Sequence, residues 1–231
     1  MTVMRKAYHA ALDQVAEGLV DMTHLAASAM SRATTALLDA DVQLADSVIT
    51  ADAEIDARRE ALDLRSFDII ALQQPVATDL RVVVTSMRMS SDIERMGDLA
   101  RHVAKVARLR YPESAVPPEL RGTFREMGHV AVAIVEKAGS VIAARDLDAA
   151  RELVRDDDAM DELHRQLFTW VTGPDWQHDT ETAVDITLLG RYYERFADHA
   201  VSIAERVVWI VTGEWGNEAG GSHEDDEDGE G

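Results

Sequence analysis

The chain contains no cysteine. That excludes disulfides, thiolate metal ligation and thiol catalysis, and it fits a reducing compartment. Proline and glycine are scarce, five and thirteen of 231 residues, while alanine, leucine, arginine and acids abound, a balance that favours helix. No uninterrupted apolar run approaches the roughly 18 residues a bilayer span requires. The first thirteen residues carry Arg5 and Lys6 but no apolar core of the kind a secretory signal needs, so a cytoplasmic location is expected. A glycine-rich phosphate loop and a Gly-x-Ser-x-Gly elbow are also missing.

What the chain has is negative charge, a formal −20 at pH 7. Eight of the acids fall after Gly213 with no Lys or Arg among them, which leaves −12 on residues 1–213. Phosphate contacts need clustered Lys and Arg, so neither nucleic acid nor an anionic membrane surface is an expected partner. Cations and basic protein surfaces are. Hydrophobic residues make up 46 % of the chain, enough to build a core.

Apolar residues recur at three- and four-residue steps in six segments: 5–38, 42–73, 76–110, 119–144, about 148–172 and about 180–212. Asp41 is placed to cap the second helix, and Gln73-Gln74-Pro75 to end it. Tyr111-Pro112 and Pro117-Pro118 form the one proline-rich linker. The segments repeat. Glu94-Arg95-Met96-Gly97-Asp98 returns as Glu194-Arg195-Phe196-Ala197-Asp198 at an offset of 100, and Asp52, Asp56 and Leu62 return as Asp157, Asp161 and Leu167 at an offset of 105. The expected fold is therefore all-α, two tandem pseudo-symmetric three-helix bundles, over residues 1–112 and 113–213. Residues 214–231 lack periodicity and apolar content and read as a disordered acidic tail.

The repeated pairs place two carboxylates one helical turn apart on one face. Spacing alone is weak, because 35 acids in residues 1–213 give about six such pairs by chance and the chain has twelve. Position adds weight: Asp52/Asp56 and Glu94/Asp98 recur as Asp157/Asp161 and Glu194/Asp198 at matching places in each half. Carboxylates from neighbouring helices suit a hard or borderline cation, with iron, magnesium, manganese and zinc all compatible. Taking 100° per residue, Glu94 and Asp98 fall almost opposite the apolar stripe Val82, Met89, Ile93, Met96, Ala100, Val103 and Ala107, so an open, shallow site is expected. Arg95, Arg101, Lys105, Arg191, Arg195 and Arg206 either pair with acids on their own helices or form a mixed-charge surface for a protein. His102 and His199 border the motifs and are candidate ligands. Glu126-Met127-Gly128-His129 has the Glu-x-x-His spacing of di-iron bundles, with Asp161/His164 and Asp21/His24 as loose analogues.

These residues resemble the PhoU family of bacterial phosphate regulators. The resemblance rests on Ala71-Leu72-Gln73-Gln74-Pro75-Val76-Ala77-Thr78-Asp79-Leu80-Arg81, on Asp92 through Asp98, and on Glu194 through Ala200. It implies two symmetric three-helix bundles without enzymatic activity. It implies multinuclear metal, iron above all, on Asp52, Asp56, Glu94, Asp98, Asp157, Asp161, Glu194 and Asp198. It implies negative regulation of phosphate uptake and phosphate-starvation signalling through two partners, the ATPase subunit of the phosphate transporter and a phosphate-sensing histidine kinase, and it is compatible with a homodimer. Ala197 stands where the family pattern has glycine, and Asp157-Asp158 offers two candidates for one ligand. Two alternatives stand beside this reading: a metal-dependent, di-iron-like oxidoreductase in a helical bundle, and an adaptor that binds proteins without metal.

Overall fold

The computed structural model describes residues 2–214, with side chains from Tyr8 onward. It consists of six helices: α1 (Thr2–Asp39), α2 (Val42–Gln73), α3 (Thr78–Arg110), α4 (Arg121–Ala144), α5 (Leu147–Thr172) and α6 (Thr180–Thr212), with a 3-10 turn at Pro118–Leu120 leading into α4. No strand occurs among the described residues. The expected acidic tail lies outside them beyond Glu214.

Local chemistry sets the helix ends. Asp41 accepts a hydrogen bond from the Leu44 amide at 2.9 Å, Asp146 from those of Asp148 and Ala149, and Asp179 from that of Thr182, each satisfying a first-turn donor that has no intrahelical partner. The third helix starts at Thr78, two residues later than the periodicity predicts. Val76 and Ala77 belong instead to a turn set up by Pro75, in which Gln74 (φ 47°) and Ala77 (φ 50°, ψ −117°) both take positive φ. For a residue with a Cβ that conformation costs on the order of 1–3 kcal/mol.

The helices pack in two layers. α2, α3, α6 and α5 lie side by side in that order, and α1 and α4 cover them from one side. Each half is a three-helix bundle, α1–α3 and α4–α6, and the halves meet through α1 against α4 and α3 against α6. The predicted α3 stripe from Val82 to Ala107 is buried throughout. The α2 stripe holds for Val48, Ile55, Leu62 and Ile69, whereas Ala51 is exposed. The two bundles share one continuous core. On the α1–α4 side, a Cβ at Gly128 would sit 2.7 Å from Thr34 Cγ2 and one at Gly139 would sit 2.5 Å from Thr23 Oγ1, so glycine at these two positions lets the backbones approach. Beside this contact the fully buried Tyr193 hydroxyl shares a 2.7 Å hydrogen bond with Thr34 Oγ1. The linker is tied in as well, with Ala115 and Val116 buried.

The α3–α6 side is joined by polar groups. Arg81 donates to the Ile210 carbonyl at 3.1 Å and lies over the Trp209 ring, which satisfies a C-terminal carbonyl and places a cation at the negative end of α6. Asp92 accepts from Arg206 Nε at 2.8 Å and faces His199 Nδ1 at 3.1 Å. Arg110 reaches Asp185 and Glu181, both at 2.5 Å.

The stretch Pro118–Ala144 has the length and apolarity to cross a membrane on composition alone. Half of its most apolar 18-residue window is buried inside the bundle, where those residues serve packing.

Candidate metal centre

The predicted carboxylates come together as two quartets. In the first half α2 supplies Asp52 and Asp56, one turn apart, and α3 supplies Glu94 and Asp98. In the second half α5 supplies Asp157 and Asp161, and α6 supplies Glu194 and Asp198. Each quartet sits along the groove between a flanking helix and a central one. α3 has α1, α6 and α2 around it, so the side opposite its main stripe is not open: it faces α2. Glu94 and Asp98 are consequently half-buried, with side-chain exposures of 19 % and 18 %, and Asp52 is buried at 6 %. The expected shallow surface site is corrected to a cleft between helices. Asp56, Asp161 and Asp198, by contrast, are exposed at its mouth.

The close approach at the first quartet depends on Gly97, where a Cβ would fall 2.8 Å from Ile55 Cδ1 and 3.2 Å from Asp52 Oδ1. Ala197 holds the matching place in the second half and is itself fully buried. Of the neighbouring Asp157 and Asp158, it is Asp157 that turns toward the groove, half-buried, while Asp158 is exposed.

Electrostatics separate the two quartets. Burial pushes the Asp52 carboxyl up from its ordinary value; Arg101 opposes that, and Asp98, Asp56 and Glu94 reinforce it. Arg101 forks between Asp52 on α2 and Asp98 on α3, one Nη to each. The first quartet therefore carries its own counter-ion. The second has none in that position, because residue 201 is Val. Burial, then Asp161, Asp198, Glu194 and Asp158, push Asp157 up to about 6. Glu194 is also raised, by burial and Asp198, with Arg191 and His164 pulling the other way. Its Oε1 accepts from Arg191, but its buried Oε2 has no hydrogen-bond partner. A buried carboxylate oxygen without a partner is costly, and here it lies among three further carboxylates.

In chemical type that donor set suits a hard cation, which would offset the mutual repulsion and take up the free oxygen. Asp157, Asp161, Glu194 and Asp198 are the second-half candidates; Asp52, Asp56, Glu94 and Asp98 are the first-half ones, with Arg101 competing for the same oxygens. Among the described residues no three acidic or histidine groups stand close enough together, as arranged here, to hold a metal ion.

The other candidates fall elsewhere. His102 stacks on Tyr192 at 5.3 Å between ring centroids, and His199 faces Asp92, so both serve the α3–α6 contact. Glu126 and His129 are exposed on α4, 3.8 Å apart, and Asp21 and His24 are exposed on α1. His164 lies beside the second quartet, through Glu194, and His102 beside Asp98 of the first. Arg95 and Arg191 pair with acids on their own helices, whereas Arg101 and Arg206 cross to a neighbour.

Comparison with known proteins gives a consistent picture. A profile of the PhoU domain matches twice, over residues 19–107 and 124–207. The phosphate-specific transport system accessory protein PhoU homolog 2 of Mycobacterium tuberculosis is 49 % identical over 210 residues, covering 91 % of this chain and 99 % of its own. PhoU homolog 1 of Mycobacterium leprae is likewise 49 % identical over 210 residues, covering 91 % of this chain and 95 % of its own. The crystal structure of PhoU from Pseudomonas aeruginosa superposes with a TM-score of 0.80 at 30 % identity, over 90 % of this chain and 100 % of that one. The phosphate transport system regulatory protein PhoU from Streptococcus pneumoniae gives 0.82 at 25 % identity, over 90 % and 98 %.

Proposed function

Because the chain belongs to the PhoU family, we propose that it is a non-enzymatic cytoplasmic regulator that restrains phosphate uptake and phosphate-starvation signalling. It docks on the ATPase subunit of the phosphate transporter and on a phosphate-sensing histidine kinase, and it holds metal ions while doing so. The observation that carries the metal part is the second quartet: four carboxylates, an Asp157 carboxyl pushed up to about 6, and a buried Glu194 oxygen without a partner. Iron is the first candidate, with zinc, magnesium and manganese compatible with the same oxygen donors. A bound cation supplies positive charge beyond that of Arg191. Asp157 and Glu194 come from different helices, so their shared neutralisation ties α5 to α6. The names of the relatives, accessory proteins of a phosphate transport system, support the transporter as a partner.

Elemental analysis of protein purified without chelator tests the metal. The wild type is expected to carry metal, and Glu94→Ala combined with Glu194→Ala to lose most of it; unchanged content in the double variant sinks the assignment. Pull-downs with the transporter ATPase and the kinase, each with and without metal, test the docking. Capture of neither under both conditions overturns the adaptor reading.

A further inference from the structure

Among the helices, α2 is apolar on two sides. Its inner side, with Val48, Ile55, Leu62 and Ile69, enters the core. Its outer side carries Ala53, Ala57, Glu60, Leu64, Phe67 and Ala71, all exposed, at steps of 4, 3, 4, 3 and 4. That is the seam spacing of a helix built to meet another helix. Leu64 is 59 % exposed and Phe67 56 %, and the strip runs on into Leu72 at 76 % and Val76 at 75 % in the turn that follows. Among the described residues no helix covers it, since α2 packs mainly on α1 and α3.

The other half provides an internal control. At the offset of 105, Ala53, Ala57, Glu60, Leu64 and Phe67 correspond to Asp158, Glu162, Arg165, Thr169 and Thr172 on α5. The same place in the same bundle is polar there, so the fold does not require an apolar strip. α5 does expose Phe168 and Trp170, but two positions apart they point to different sides of the helix. Contiguous exposed apolar surface rimmed by polar groups marks a binding surface.

Charge selects the occupant. The strip is flanked by Glu54, Asp56, Asp63 and Asp68, and Glu60 lies within it. Arg58 pairs with Glu54 and Asp21 and Arg59 with Asp63, so Asp56, Glu60 and Asp68 against Arg65 leave the strip net negative. A second copy would bring the same acids, and another −20, against this rim. A helix with basic flanks would meet opposite charge along its length.

We infer that the outer face of α2 docks an amphipathic helix of a protein partner, with an apolar edge flanked by lysine and arginine. This rests on the docking reading above and names its surface. A designed peptide tests it, so failure here leaves the transporter and kinase pull-downs to decide the broader reading.

The probe is a fluorescein-labelled four-heptad peptide with leucine at the seam positions and lysine beside them, titrated with the full chain in fluorescence polarisation. A twin carries glutamate in place of lysine. The lysine peptide is expected to bind and the glutamate twin not to. Leu64→Glu with Phe67→Glu is expected to weaken binding at least tenfold. Ala57→Lys, which adds a like charge at an exposed position, is expected to weaken it too, and Thr169→Glu on α5 to leave it unchanged. The inference is overturned if the lysine peptide fails to bind the wild type, if both peptides bind alike, or if the α2 variants, folded by circular dichroism, bind as the wild type does. A wild-type dimer in sedimentation that the double variant makes monomeric also overturns it, because a second copy is then the occupant.

Discussion

The two carboxylate quartets are copies of one design, and they differ in one decisive place. Arg101 bridges Asp52 and Asp98 in the first half, and the matching residue in the second half is Val201. A guanidinium that forks between two carboxylates from neighbouring helices does much of what a cation would do there, at fixed stoichiometry. The first quartet thus has a counter-ion bridging its two helices, while the second has only Arg191, on Glu194 of the same helix. Duplication preserved the carboxylates in both halves, yet only one half bridges them across its two helices with an arginine. Motif identity therefore does not imply equal affinity. The second quartet is expected to take a cation first and to hold it more tightly.

The sharpest way to break this contrast is Arg101→Val. It leaves Asp52 buried without its partner, and removing one member of a buried pair costs about 3 kcal/mol. Thermal denaturation of metal-free protein is expected to show that loss, and added divalent cation to recover much of it. An unchanged melting temperature would remove Arg101 as the counter-ion. The reciprocal exchange, Val201→Arg, brings a guanidinium to the second quartet. It is expected to lower cation affinity about tenfold, roughly 1.4 kcal/mol, in a calorimetric titration. Equal affinity before and after would show that the arginine does not set the difference.

The smallest effect is one of pH. The Asp157 carboxyl is raised to about 6 in the folded chain from 3.8, so between those values the folded state binds more protons than the unfolded one. Stability of the metal-free protein therefore falls as pH rises from about 4 to about 6, and the full cost stands at pH 7. Asp157→Asn is expected to raise stability at pH 7 by about 1 kcal/mol, a figure reduced for partial solvent screening. The gain should vanish below about pH 4 in urea titrations. A gain that persists at low pH would assign it to packing rather than to charge.

Much of the fold was legible because helix signals are local. The bounds of α2 match the apolar period and its caps, and the buried stripe of α3 matches residue for residue. The start of α3 was misplaced because periodicity continues through Val76 while the backbone after Pro75 does not. The quartets were legible as recurring pairs, since the internal repeat singles out four pairs from twelve. Their depth was not: the side of α3 opposite its main stripe is solvent in an isolated helix and a neighbour's flank in a three-helix bundle. Arg101 was visible as a charge but not as a bridge to Asp52, 49 positions away. The Thr34–Tyr193 bond, spanning 159 positions, gives no sequence signal at all. Alignment of the halves does mark Val201 against Arg101, and it is there that the copies have parted.

The common interior of the two bundles has a consequence for the chain as a whole. Tyr193 of one bundle is anchored on Thr34 of the other, and Ala115 and Val116 of the connecting segment are themselves packed away. A protease nick within residues 111–114 would cut the polypeptide without releasing either piece. The fragments should elute together and part only in denaturant, because neither can leave without exposing apolar surface to water. What arose as two units now survives only as a pair.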